Sequence, residues 1–169
     1  MTLWQRASSL LRLVAVLLVI SVVANAADVI AGRASIIDGD TIEIRGQRVR
    51  LFGIDAPEAG QTCRGAKGEA YRCGQKAALV LDARIGDAVV TCERKDTDRY
   101  GRTVAICGVY GEDLGAWMVG LGWAVAHLAY SNRYVPAEDL ARKRRSGMWA
   151  GTFTPPAEWR REHRTETAR

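Results

Sequence analysis

The stretch "TIEIRGQRVRLFGI", residues 41–54, alternates apolar and polar side chains about an Arg-Gly pair. Alternation with a period of two marks strands with one face buried. Arg45-Gly46 then reads as the two-residue turn of a hairpin. That register sets Ile42 opposite Val49 on one face and Glu43 opposite Arg48 on the other, an apolar pair and an ion pair. It also brings the start of one strand, near Asp40, beside the end of the next, near Leu51.

The rest of the chain extends this β-rich core. "VIAGRASIID", from residue 29, is β-branched and alternating, with Gly32 suggesting a bulge or bend. Residues 56–68 carry Pro57, Gly60, Gly65 and Gly68 and read as a long loop. "EAYRCGQKAALVLDARIG" reads as a helix with Ala70, Ala77 and Leu81 inward and Gly86 at its close. A second hairpin pairs strands near 88–93 and 103–110 across a charged loop. "EDLGAWMVGLGWAVA" and "VPAEDLARKRRSGMWAG" read as two more helices. The first has acidic residues at its N-terminus; the second has Pro136 early and Gly147 at its end. The basic run 142–145 is a solvated helix end on this reading, with a phosphate-binding patch as the sharper alternative. Five strands with a helix between the third and fourth fit an α+β fold, mainly a β barrel. The expectation is a five-stranded OB-fold barrel with three helices.

Residues 1–26 stand apart. Arg6 and Arg12 precede the apolar run 13–23, too short for a comfortable membrane span, and "ANA" ends the segment with small residues. This is the pattern of a signal peptide cleaved after about Ala26, which implies a periplasmic or secreted protein with no membrane segment in its mature form. An uncleaved N-terminal anchor is the alternative. The folded domain is expected over 27–155, and 156–169 is expected to be a charged, poorly ordered tail. Loss of the leader takes the net charge from +5 to +3, which favours a polyanion without requiring one.

The four cysteines, Cys63, Cys73, Cys92 and Cys107, are an even number behind a leader, which reads as two disulfides. Their spacings are not those of a zinc site, and His127 and His163 are the only histidines. Cys92 and Cys107 fall on facing strands, which suits a cross-strand bridge and leaves Cys63 and Cys73 to staple the long loop to the first helix. Three pairings stay open on sequence alone.

The chemistry concentrates at strand ends. Asp40, in "DGDT", and Asp55, in "DAPE", close neighbouring strands, with Asp38 and Glu58 close by in sequence. Carboxylates grouped without His or Cys suit a hard cation such as calcium or magnesium. Taken singly, either segment is ordinary turn chemistry; the hairpin brings the two together. Arg50, five residues before Asp55, and Arg102, after "DRYG", offer guanidinium groups that bind phosphate oxygens in a two-pronged way. Two metal-holding carboxylates, a spare carboxylate and two arginines make a set for phosphodiester hydrolysis.

In that order, "IIDGDTIEI", "RVRLFGIDAPE" and "DTDRYGRTVA" resemble the three signature segments of the staphylococcal nuclease (thermonuclease) family. "GLGWAVA" and "SGMWAGTF" are similar to its later helices, so the resemblance covers about residues 29–153. It implies Asp40 and Asp55 as Ca2+ carboxylates and the backbone carbonyl of Ala56 as a third ligand. It implies Glu58 as general base, or as the group that orients the attacking water. Arg50 and Arg102 would hold the scissile phosphate, while Tyr100 would be structural. The implied activity is calcium-dependent cleavage of single-stranded DNA and RNA to 3′-phosphates by a monomer with no stable protein partner. Ala56 departs from the family's threonine, and the loop 59–75 carries two cysteines in place of a lysine-bearing flexible loop. The competing readings are a binding module without catalysis and a calcium-stabilised structural domain.

Overall fold

The computed structural model describes residues 29–167; the leader expected at 1–26 lies outside them. Strands β1 (Val29–Ile36), β2 (Thr41–Ile44) and β3 (Gln47–Leu51) run as an antiparallel meander. A two-residue strand, β4 (Ile54–Asp55), follows, and a small ribbon of β5 (Cys63–Arg64) and β6 (Ala70–Tyr71) leads into helix α1 (Cys73–Ile85). Then come β7 (Val89–Thr97), β8 (Thr103–Val109), β9 (Glu112–Asp113), helix α2 (Leu114–Gly120), β10 (Val125–Ala126), helix α3 (Val135–Arg144) and helix α4 (Pro156–Thr167).

Closure comes from β3. It pairs with β2 on one side and, in parallel, with β8 on the other, Val49 opposite Thr103 and Leu51 opposite Ala105. The sheet order β3-β2-β1-β7-β8 thereby returns to its start as a five-stranded mixed barrel, with β9 at the edge of β8. The fold is α+β and OB-like, as the pattern of elements implied. Among the described residues it carries four helices rather than three.

The first hairpin has the register read from its alternation: Ile42 faces Val49 and Glu43 faces Arg48. Arg45 and Gly46 both have positive φ, 52° and 78°, which matches the right-handed twist of the flanking strands. Gly32 is not a bulge. It pairs regularly with Val90, and a Cβ there would stand 2.8 Å from Ile44 Cγ2. The irregularity lies instead in β7, between Arg94 and Asp96.

Apolar residues of β2, β3, β7 and β8 fill the barrel: Ile42, Ile44, Val49, Leu51, Val90 and Ala105 are all buried, and Ile30, Ala34 and Ile36 of β1 pack half-buried against them. Helix α1 plugs one end with Ala77, Leu81 and Ile85, and α2 adds Leu114, Met118 and Val119. Asp113 caps α2, its Oδ1 accepting from the amides of Gly115 and Ala116 at 2.9 and 3.1 Å. Helix α3 stops earlier than Gly147, at Arg145, which takes the left-handed conformation.

Both disulfides form, Cys63–Cys73 between β5 and the start of α1, and Cys92–Cys107 between facing residues of β7 and β8. The charged tail expected after residue 155 is corrected: Pro156–Thr167 is helix α4. Composition alone gives such a segment no core to bury. Its order comes from Trp159 and from ion pairs of Arg160 with residues a hundred positions away.

Each disulfide closes a short loop and should contribute about 2–4 kcal/mol. The native protein should titrate no free thiols, and reduction should lower its urea midpoint. Four free thiols in the folded protein would refute the pairing.

Candidate active site

Asp40 lies in the tight turn between β1 and β2. Its amide donates to Asp38 Oδ1 at 2.9 Å, a local turn that aims its own carboxylate inward. Asp38 therefore shapes the turn. A Cβ on Gly39 would come within 2.8 Å of the Cβ atoms of both Ala56 and Ala77, so only glycine lets the turn pack against α1 and the Asp55 loop. The Leu51 amide donates to the Asp40 carbonyl at 2.8 Å, joining the two strand ends.

Asp55 ends β4, which is held by β10, Val125 facing Asp55. The two carboxylates are almost dry, Asp40 at 3% and Asp55 at 2% exposure. Asp40 Oδ2 accepts from the Ala56 amide at 3.0 Å and Oδ1 from the Thr41 hydroxyl at 3.0 Å. One nitrogen of Arg50, Nη2, lies 3.0 Å from Asp40 Oδ2 and 2.9 Å from Asp55 Oδ1. Burial pushes the Asp40 carboxyl up to about 7, against the opposing pull of Arg50. Arg50 itself is destabilised as a cation by burial, but Asp40 and Asp55 more than restore it and hold its pKa above the usual value.

Glu58 follows in the loop, half-buried, its backbone fixed from two sides. Its amide donates to the Gln61 side-chain oxygen at 3.3 Å, and its carbonyl accepts from the Gln61 amide at 2.8 Å. A Cβ at Gly74 would run into that same carbonyl, so α1 packs directly on the Glu58 backbone. Gln61, fully buried, also donates to the Thr154 carbonyl at 2.7 Å. Nothing in the sequence marks Gln61: a lone glutamine in a loop carries no pattern.

Arg102 stands apart from the carboxylates. Its Nε donates to Asp98 Oδ2 at 2.6 Å, and Asp98 Oδ1 accepts from the amides of Arg102 and Tyr100 at 2.9 Å each. Although burial works against it, these bonds hold the Asp98 carboxyl below the usual range. Asp98 is thus the residue that aims Arg102, and it sits unremarked in a charged loop. Arg50, Arg102 and Arg160 line one cleft of about 340 Å³, with Tyr100, His127 and Tyr130 also on its walls. Tyr100, expected to be structural, is 68% exposed there, 5.7 Å from the Arg102 guanidinium. Tyr134 is the structural tyrosine: it is buried, and its hydroxyl lies 3.0 Å from Asp113 Oδ2.

Arg160 of α4 completes the polar cluster, and the sequence reading missed it. Its Nη1 donates to Asp55 Oδ1 at 2.9 Å and to Glu58 Oε1 at 2.7 Å, and its Nη2 to Asp55 Oδ2 at 2.9 Å. The only trace in the sequence is Pro156, Trp159 and Arg160 at helical spacing in a run otherwise polar. Among the described residues no three His, Cys, Asp or Glu side chains gather as a ready metal cage. The donor set is two carboxylates beside the Ala56 backbone, all hard oxygen. It fits calcium or magnesium with water completing the shell, and does not fit zinc.

The sequence profile described as "Staphylococcal nuclease homologue" matches residues 48–151, more than half of the chain. The chain belongs to the staphylococcal nuclease family. The matched span takes in Arg50, Asp55, Ala56, Glu58 and Arg102, while Asp40 and α4 lie outside it. The micrococcal nuclease of Shigella flexneri is 35% identical over 173 residues, covering 90% of this chain and 92% of that protein. The succinoglycan biosynthesis protein ExoI of Rhizobium meliloti is 41% identical over 129 residues, 75% of this chain and 68% of its own length. An uncharacterized endonuclease of Haemophilus influenzae is 32% identical over 124 residues, 72% and 64% respectively.

Asp98 should also leave a mark on stability. Its pKa is lowered on folding, so its contribution is full above the unfolded value, about 4. It is lost as the pH falls through the lower folded value. Asp98→Asn should therefore be less stable than the parent at pH 7, with the gap closing towards pH 3. Urea midpoints at both pH values test this; a gap that does not change with pH would sink it.

Proposed function

We propose that this chain is a calcium-dependent nuclease that hydrolyses phosphodiester bonds of single-stranded DNA and RNA, leaving 3′-phosphates. The observation that carries the reading is the pair of dry carboxylates, Asp40 and Asp55, bridged by Arg50 of an arginine-lined cleft, with Glu58 joined to Asp55 through Arg160. Asp40, Asp55 and the Ala56 carbonyl would hold the cation, which supplies positive charge to the phosphate when bound. Glu58, on its fixed backbone, accepts the proton of the attacking water. Arg50, fixed in the barrel wall, and Arg102, aimed by Asp98, hold the phosphate oxygens where negative charge grows in the transition state. The cleft is open and basic, and Tyr100 and Tyr130 offer exposed rings on which unpaired bases can stack.

Two disulfides and the leader-like first 26 residues support export to the periplasm or beyond. No helix among the described residues is long and apolar enough to cross a membrane. A second reading, nucleic-acid or protein binding without cleavage, draws on the likeness to ExoI, whose name places that protein in succinoglycan biosynthesis.

Cleavage of single-stranded DNA and of RNA, with calcium and with a chelator, separates the two. The parent should cleave only with calcium, and Glu58→Gln should lose about 10²- to 10⁴-fold in kcat while keeping its fold. A folded, calcium-loaded protein without cleavage would favour the binding module. Unchanged turnover in Glu58→Gln would remove Glu58 from the chemistry.

Arg102→Ala should lower kcat more than it raises KM, because the charge it meets peaks in the transition state. A change confined to KM would reassign Arg102 to substrate binding.

A further inference from the structure

Helix α4 lies outside the span matched by the family profile, and the proposed chemistry makes no use of it. It meets the body through one narrow face. Pro156 is buried and Trp159 and Arg160 are half-buried, at i, i+3 and i+4, while Ala157, Glu158, Arg161, Glu162 and His163 are exposed. Trp159 reaches over the loop at Gly60 and stacks on His163 at 3.9 Å between ring centres. The approach to the helix is tied down just before it begins, where Thr154 accepts from buried Gln61, the residue that also fixes the Glu58 backbone.

From that anchor Arg160 closes on the site with a two-pronged grip. Both oxygens of Asp55 and Oε1 of Glu58 receive its N–H groups. These are oxygens that a cation and a water proton would need. We infer that Arg160 is a positioning residue of this site: an internal counter-ion that holds Asp55 and Glu58 in the cation-free protein and gives way when a divalent cation binds, so that α4 serves as a latch. The inference rests on Asp40 and Asp55 being the cation's ligands.

Charge decides why something must move. Asp40, Asp55 and Glu58, with Asp38 beside Asp40, face two guanidinium groups, Arg50 and Arg160. A divalent cation competes for the same carboxylate oxygens and repels the guanidinium groups that lie within 3 Å of them. Exposure and anchoring decide which one yields. Arg50 is 17% exposed and springs from a barrel strand paired on both sides; Arg160 is 32% exposed and springs from a helix whose described side chains dock through Pro156, Trp159 and Arg160.

Calcium binding by the mature chain, measured by calorimetry, tests this without reference to cleavage. Arg160→Gln should bind calcium about tenfold more tightly than the parent, since a competing two-pronged ion pair is gone. Arg160→Lys, which keeps the charge and loses the fork, should fall between. Arg161→Gln removes an exposed charge one residue on and should shift affinity by less than about twofold. Calcium should also speed tryptic cleavage after Arg160 or Arg161 in the parent by freeing α4. Circular dichroism checks that each variant is folded. If the parent binds calcium and Arg160→Gln binds it no more tightly, or more weakly, the latch is wrong and the cation reading stands. If parent and Arg160→Gln both fail to bind calcium, the cation reading falls and takes the latch with it. Binding by Arg160→Gln alone supports the latch strongly.

Discussion

One nitrogen of Arg50, 3.0 Å from Asp40 and 2.9 Å from Asp55, is the interaction on which the rest of the site depends. Both carboxylates are only 2–3% exposed, and burying such groups is costly unless a counter-charge meets them. Arg50 can supply it only because β3 lies between β2 and β8. Pairing with β2 sets Arg50 directly opposite Thr41, the neighbour of Asp40. Pairing with β8 closes the barrel and carries Arg102 to the same cleft. Barrel closure and site assembly are therefore one event, and a register slip in the first hairpin would undo both.

Small residues then decide how closely the parts approach. Gly39 lets the Asp40 turn rest on Ala56 and Ala77, and Gly74 lets α1 rest on the Glu58 carbonyl. The Cys63–Cys73 disulfide fastens the intervening loop to the same end of α1. Three carboxylates from two loops are thus fixed against one helix whose buried side, Ala77, Leu81 and Ile85, is locked in the barrel mouth. A site placed by packed backbone needs little reorganisation when a substrate arrives, which is where electrostatic catalysis gains its advantage.

Local rules carried the sequence reading wherever the deciding partners were near in the chain. The Arg45-Gly46 turn, the Ile42–Val49 pair and the acidic N-terminus of α2 involve neighbours, so alternation, turn chemistry and the helix dipole are enough. The family-like segments made Asp40, Arg50, Asp55, Glu58 and Arg102 visible as candidates before any geometry. What stayed hidden depends on distant contacts. Gly32 is glycine because Ile44 crosses it, a fact of barrel curvature rather than of local conformation. Asp98 and Gln61 act through hydrogen bonds that no periodicity encodes. Helix α4 reads as a tail because its composition offers little to bury; among its described side chains Pro156, Trp159 and Arg160 meet a surface that exists only once the barrel has formed.

That hidden element changes how the electrostatics should be understood. A buried acidic pair costs stability unless its charges are met, and apolar residues of similar size would hold the barrel at least as well. Retaining Asp40 and Asp55 makes physical sense if the protein gains a function from them. Arg50 alone would leave Asp40, Asp55 and Glu58 with an excess of negative charge, and Arg160 offsets part of it. The folded chain thus carries a partial internal replacement for the cation its donor set fits. Its grip is tight enough to order a helix of twelve residues with little core of its own. A guanidinium on so narrowly docked an element can stabilise the acidic cluster while the site is empty and still withdraw from it. Arg50 is less free to do so, because its backbone is paired on both sides and its side chain is only 17% exposed.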